Sequence, residues 1–458
     1  MDKSSSLAIV NTSCLVTMNK DRQVLRNGGI LWEDGQITMI DSSHKVTDSA
    51  KSKGIDLVDA KGAVVFPGLI NTHNHLFQHL LKGLGEDLKL EEWWPKVIGS
   101  TSIHLREKHL RAAVLGGILE ALRSGTTTIV DYMQVHPVRG LSDVEIETAR
   151  ASGIRLIYGR GFRNFSKGGL FSKTLVESTE DVFHEVEDLK KRYEARSDGM
   201  TKVFLAPAAA WGVTLDGLKE TCEFSKASGT PITMHVFETD TDNKVCIEQY
   251  GMPAIDYFEK AGLLSPTFLA VHCVRMKEDE IRRFAQHGVK VSHNPLSNMY
   301  LASGAAPVPE FRRQKVVVSL ATDGAASNNS NNMLEVLKGT ALLHKVISGD
   351  SHILSAMDVL GMATIDGAKA IGMEDSIGSL EVGKRADLFL FSPVRAPTSC
   401  PMHDPAATLV YSSDSRSVVM TVVDGRVLLR DYMFTGMDEE AILKEEQDMA
   451  EDLVRASC

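Results

Sequence analysis

The stretch PGLINTHNHLFQHLLKGLGED places His73, His75 and His79 within seven residues, three of the chain's 15 histidines. Neutral imidazole is the commonest side-chain metal ligand, so a metal centre is the first chemistry to weigh. His73 and His75 have the two-residue spacing that turns both side chains to one side of an extended backbone. His79 falls in LFQHLLKGL, which reads as helix or loop, and a role in packing or in supporting the ligands from behind is expected for it. Three more candidates each close an apolar run: His235 ends TPITMH, His272 ends TFLAVH and Asp323 ends VVVSLATD. Any one of them alone would be an ordinary core or surface residue; four strands ending this way together would not. Zinc takes three or four nitrogen and oxygen ligands with a position left for water, which His73, His75, His235 and Asp323 would satisfy; iron or manganese could use the same set. Glu238, three residues after His235, could take a proton from an activated water and return it to a leaving nitrogen. Its neighbours Asp240 and Asp242 read as solvated loop acids.

The elements that must carry these groups alternate. TTTIVDY, GIRLIYGRG, TKVFLAPAAAW, TPITMHVFE, TFLAVHCV, GVKVSHNP and KVVVSLATDG read as buried strands, each followed by an amphipathic segment. This is the pattern of a parallel sheet, and about eight such units predict a closed (β/α)8 TIM barrel over residues 67–373 with reactive groups at the C-terminal strand ends. Residues 1–66 and 374–458 differ: short apolar runs are cut by NGG, EDG and AKG, and VVDGRV carries a hairpin turn. These flanks are expected to form one β-sandwich that the barrel interrupts, giving an α/β protein. The tail MDEEAILKEEQDMAEDLVRA reads as a charged helix whose acidic run is a solvated face.

Bulk properties narrow the partners. A chain of 458 residues exceeds the size at which single cores stop growing, so a large and a smaller domain are expected. A net charge of −10 argues against nucleic acid or an anionic membrane and for a small-molecule partner. Six scattered cysteines without a C-x-x-C pair fit neither a zinc ribbon nor a disulfide scaffold. With no signal-peptide core and no long apolar span, the expected location is cytoplasmic.

PGLINTHNH, SGTTTIVD, MHVFE, VHC, SHNPLSNMYLASGAAPVP, ATDGAASNN and IGSLEVGKRADLFLF, in this order, resemble the amidohydrolase superfamily, specifically its ATZ/TRZ and nucleobase-deaminase branch. The resemblance implies one divalent metal, zinc first and iron second, on His73, His75, His235 and Asp323, with Glu238 as proton shuttle. It also makes His272 a catalytic group that orients water or substrate, and lets Asp323 hold the attacking water. Two-metal members carry a lysine at the end of the fourth strand; here that strand's only lysine, Lys202, is at its start. Gln78 is implied as a reader of the substrate ring, Trp93 and Trp211 as walls along with Phe77 and Trp94, and Ser297 and Asn298 as further substrate contacts. His293 would order the loop that follows it. GRGFRNFSKGGLF resembles a segment of 8-oxoguanine deaminases and triazine hydrolases. The implied reaction is hydrolytic deamination of an aminated N-heterocycle: a guanine-like purine, a pterin or an s-triazine. Nucleoside deaminases of the methylthioadenosine and adenosylhomocysteine type rank second, because EEWWPKVIGS lacks the acidic feature expected after the tryptophan. Displacement of chloride or alkylamine and opening of a cyclic amide use the same ligands. A non-catalytic relative would lack part of the set. Homo-oligomers are common in the family.

Overall fold

The computed structural model describes residues 6–166, 172–196 and 198–457; residues 167–171, part of GRGFRNFSKGGLF, lie outside them. Eight parallel strands pair in chain order: Leu69–Asn74, Thr126–Met133, Arg155–Phe162, Thr201–Pro207, Ile232–Val236, Phe268–His272, Lys290–His293 and Val318–Leu320. Helices follow the strands and cover the outside, so the strands are apolar on both faces, which is why they read as continuous hydrophobic runs. The ring closes between the first and eighth strands largely through side chains. Thr72 Oγ1 lies 2.8 Å from the hydroxyls of Ser292 and Ser319, Asn71 Oδ1 accepts from Thr322 N at 3.1 Å, and Asp323 N donates to His73 O at 3.1 Å.

A bulge makes the first strand usable. Asn71 pairs with Ile129 and Asn74 with Asp131, so three steps on one strand match two on its neighbour. The extra residue reverses the in–out parity. Ile70 and Thr72 below it and His73 and His75 above it therefore all face the barrel axis. The lower end is dry: Ile70, Val130, Ile157, Phe204 and Leu269 pack on Ala368, Ile371, Met373 and Ile377 from the segment after the barrel. The candidate metal ligands lie at the other mouth.

The two flanks do combine. A four-stranded sheet is built from Leu7–Val10, Gly28–Glu33, Gln36–Ser42 and Leu57–Asp59. A seven-stranded sheet joins both ends of the chain, since Leu388–Phe391 runs antiparallel to Val64–Pro67 and to Val418–Val423. Ile9, Leu15, Ile30, Trp32, Val65, Leu388 and Val422 fill the space between the sheets. All described cysteines are free thiols, and among the described residues no helix is long and apolar enough to cross a membrane.

Barrel and sandwich are joined by a buried ion pair. Arg155, at the start of the third barrel strand, donates from Nε and Nη2 to Asp387 at 3.1 and 2.9 Å, and Asp387 also accepts from Asp424 N at 2.8 Å. Both partners are at most 2% exposed, so losing Asp387 leaves a desolvated guanidinium whose remaining carboxylate contact is the longer one to Asp424 Oδ1 at 3.5 Å. Asp387→Asn should lower unfolding free energy by about 3–5 kcal/mol in urea titrations. A change under about 1 kcal/mol would show the pair to be solvated.

Candidate active site

Strand ends deliver the side chains. His73 and His75 rise from the first strand, His235 from the fifth, His272 from the sixth and Asp323 just past the eighth. His73, His75 and His235 offer ring nitrogens within 4.8 Å of one another, and so do His73, His272 and Asp323 in their ligand atoms. His75 Nε2 stands 3.2 Å from His235 Nε2, and Asp323 Oδ1 stands 3.4 Å from His73 Nε2 and 3.5 Å from His75 Nε2. His73 is fully buried and neither ring nitrogen makes a hydrogen bond. An unpaired imidazole in a core is costly, and a cation among these four groups would satisfy it. His75 is pre-oriented because its Nδ1 lies 2.6 Å from the carbonyl of Tyr132, which leaves Nε2 as the free lone pair. The residues present thus fit the single divalent metal that the resemblance implied, and Lys202 sits far down its strand, against Gly372 O.

His272 is held the other way round. Its Nδ1 accepts from Asn294 Nδ2 at 3.2 Å and Asn298 Nδ2 at 3.0 Å, so the ring proton is on Nε2, facing Glu238 Oε2 at 3.5 Å and Asp323 Oδ2 at 4.0 Å. A protonated Nε2 donates; it does not ligate. His272 and Asp323 both have left-handed backbone, with φ of 73° and 66°, which is costly outside glycine and is tolerated here because the surrounding bonds fix it. Next to Asp323, Gly324 has no room for a side chain: a Cβ would come within 2.1 Å of Gln78 Oε1 and 3.0 Å of His75 Cβ.

The two carboxylates differ. Burial raises the Glu238 pKa well above the usual range, Asp323's charge adds to it, and Ser303 Oγ, 3.4 Å from Oε1, opposes it weakly. Burial also pushes Asp323 up, but His73, His272 and His75 outweigh it and hold Asp323 well below the usual range. Their surroundings thus push the two carboxyls in opposite directions, which suits an acid/base group and a ligand respectively.

These groups form the floor of a cleft of about 680 Å³ whose walls include Gln78, Trp93, Trp94, Trp211, Tyr132 and Arg163. Gln78, Trp93 and Trp211 line the cleft. Phe77 does not; it is buried beside the first strand. Ser297 and Asn298 are not on the wall either. Both are fully buried on the helix Pro295–Tyr300, and Asn298 acts on His272 from behind. His293 is packed against His344, Nε2 to Nε2 at 3.1 Å. Asp242, expected as a solvated acid, is buried: it accepts from Phe237 N at 2.6 Å, and burial pushes its pKa up to about 7. His79, too, has partners, Glu120 and Glu446. Asn294, Ser303 and Arg163 had no signal in a linear reading, because their strands or helices do not end on them.

The amidohydrolase family matches residues 64–428. A 5′-deoxyadenosine deaminase of Methanosarcina acetivorans is 36% identical over 449 residues, covering 97% of this chain and 98% of the relative. A 5-methylthioadenosine/S-adenosylhomocysteine deaminase of Desulforudis audaxviator is 36% identical over 430 residues, covering 94% and 95%. Among solved structures, an adenosine deaminase from Xanthomonas campestris with bound zinc superposes with TM-score 0.89 at 26% identity, over 98% of this chain and 99% of that one. Atrazine chlorohydrolase from Arthrobacter aurescens complexed with zinc gives 0.91 at 25%, over 97% and 100%.

Without metal, the buried imidazoles make the fold acid-sensitive. Burial holds His75 near 3 and His272 near 4, and keeps His235 and His293 well below the ordinary value. In an unfolded chain they protonate near 6.5, so unfolding takes up protons below about that pH and stability rises with pH through this window. His79 works in the opposite sense. Burial lowers its pKa, but Glu120 and Glu446 outweigh burial and raise it, so its contribution is lost as pH rises. His136 and His344 act in the same sense as these four, whereas burial raises Asp131, Glu145, Glu238 and Asp242, whose contribution, like that of His79, is lost as pH rises. Removing one ring isolates its share: the urea midpoint of metal-stripped His344→Gln should gain less between about pH 5 and about pH 7 than that of metal-stripped wild type, and an equal gain would mean that this ring is hydrated.

Proposed function

The chain belongs to the amidohydrolase family, and we propose that its substrate is an adenine nucleoside altered at the 5′ position, which it deaminates to the corresponding inosine-type product. It is a hydrolase acting on C–N bonds with one divalent metal, zinc being the ion in the solved neighbours. The observation that carries the substrate is the end-to-end match to nucleoside deaminases at 36% identity, alongside the complete ligand set. This reverses the order expected from sequence, in which a free base or triazine ranked above a nucleoside. That ranking rested on the absence of an acid after the tryptophan. An acid lies two residues before it: Glu91 Oε1 accepts from Thr241 Oγ1 at 3.1 Å, and Thr241, Leu90 and Trp93 all line the cleft. A carboxylate at that rim suits the vicinal hydroxyls of a ribose.

His73, His75, His235 and Asp323 would hold the metal, which when bound lowers the pKa of water toward about 7 and makes hydroxide available at neutral pH. Asp323 accepts a hydrogen bond from the attacking oxygen and aims it at the ring carbon. Glu238 takes the proton and delivers it to the exocyclic nitrogen. A C–O bond forms, the C–N bond breaks, ammonia leaves, and the ring keeps the oxygen as a carbonyl. His272 donates from Nε2 into the same space and stabilises charge on the oxygen or ring nitrogen. Trp93 and Trp211 offer aromatic faces to the purine, and Gln78 offers both a donor and an acceptor to its edge.

Glu238→Gln should keep its zinc and lose about 10²–10⁴-fold in kcat. Near-normal turnover would remove Glu238 from the mechanism. Ammonia release should be fastest with 5′-deoxyadenosine, methylthioadenosine or adenosylhomocysteine and slow with guanine, 8-oxoguanine, melamine and hydroxytriazines. Faster turnover of a free base would return the substrate to the base-type reading. Glu91→Gln should raise KM for nucleosides about 10-fold, the cost of a charge-assisted hydrogen bond, and leave free-base turnover unaffected.

A further inference from the structure

Behind the metal-binding residues lies a second polar cluster that the reaction does not use. His79, 4% exposed, stands on the short helix Leu76–Leu81 that also carries Gln78. Its Nδ1 is hydrogen-bonded to Glu446 of the C-terminal helix Glu439–Ser457, and its Nε2 to Glu120 Oε2 at 3.0 Å. A carboxylate on each ring nitrogen means that both nitrogens carry hydrogens.

Glu120, on the helix Glu107–Arg123, reaches further. It accepts from Lys82 Nζ at 2.7 Å and from Ser330 Oγ at 3.0 Å. Ser330 lies in the loop that follows Asp323, where Asn331 Oδ1 accepts from Asn74 Nδ2 at 3.0 Å and Asn329 Oδ1 accepts from Gly83 N at 2.7 Å. The cluster thus ties the loop after the first strand, with His73, His75 and Gln78, to the loop after the eighth, with Asp323. Its third corner comes from a helix outside the barrel. Space for that corner is specific: at Gly116 a Cβ would lie 2.2 Å from Glu446 Oε2, and at Gly117 it would lie 2.7 Å from Leu76 Cδ2.

We propose that Glu446 and His79 are positioning residues through which the C-terminal helix clamps the two metal-bearing loops, setting the separation of Asp323 from His73 and His75 and the placement of Gln78. The tail helix, whose acidic run reads as a solvated face, is then part of the active-site scaffold. The proposal rests on the metal-centre reading of His73, His75, His235 and Asp323 and is independent of which ring is deaminated.

Zinc release from the full-length zinc-loaded protein to a chromogenic chelator measures the clamp without substrate. Glu446→Ala should release zinc about 10-fold faster than wild type, the scale for groups that support ligands. Its KM should rise by more than its kcat falls, because Gln78 moves with the helix. Glu446→Gln keeps an acceptor for Nδ1 and should recover most of both. Gly116→Ala keeps the carboxylate but displaces it by the new methyl, and should match Glu446→Ala. The exposed neighbour change Glu445→Gln should do nothing. Release and KM within about twofold of wild type in Glu446→Ala would overturn the proposal; if that protein does not fold, the same result in Gly116→Ala overturns it. Wild-type protein that binds no zinc would instead remove the metal-centre reading itself.

Discussion

The seam where the first and eighth barrel strands meet is the constraint on which the site depends. Neither His73 nor Asp323 is placed by its own strand alone; the bond from Asp323 N to His73 O sets the backbone of one ligand against the backbone of another. Thr72, Ser292 and Ser319 make a hydroxyl layer just below, where the other barrel strands have ladder bonds. The bulge beside Asn71 then turns both histidines inward, and the absence of a side chain at Gly324 lets Gln78 and His75 approach. Remove the seam, and three of the four ligands lose their common frame.

Above this frame, burial does most of the electrostatic tuning. The same desolvation that keeps His75, His235 and His272 neutral, and so ready as ligands or donors, also raises the pKa of Glu238. Asp323 goes the other way because imidazoles crowd it. Two carboxyl groups in one cavity are thereby pushed in opposite directions.

The candidate metal-centre residues were legible in the sequence because a barrel strand is a short apolar run with a fixed functional end, and His235, His272 and Asp323 each stop such a run. Glu238, the proposed proton shuttle, stood out by its offset from His235. What escaped depends on how the chain turns after the strand. Asp242 looks like Asp240 in a linear reading, yet one loop turn buries it under Phe237. Asn298 was expected to touch substrate, but its helix puts it behind His272. For His79, expected to pack or to support the ligands from behind, the partners Glu120 and Glu446 could not be named because they lie 41 and 367 residues away. The substrate order was misjudged because one missing feature after Trp93 was weighed against motifs that nucleoside and free-base deaminases share.

The divided sandwich also says something about how this molecule comes off the ribosome. Strand Val64–Pro67 is made early, but its partner Leu388–Phe391 appears more than 300 residues later. Synthesis at about 5–20 residues per second leaves that edge unpaired for tens of seconds while the barrel is still being made. The N-terminal segment can form its own four-stranded sheet, yet one face of that sheet is not fully covered until about the last sixth of the chain arrives. The emerging chain is therefore a natural client for chaperones that shield β edges, and a truncation near the C-terminus would expose apolar surface at the opposite end of the sequence.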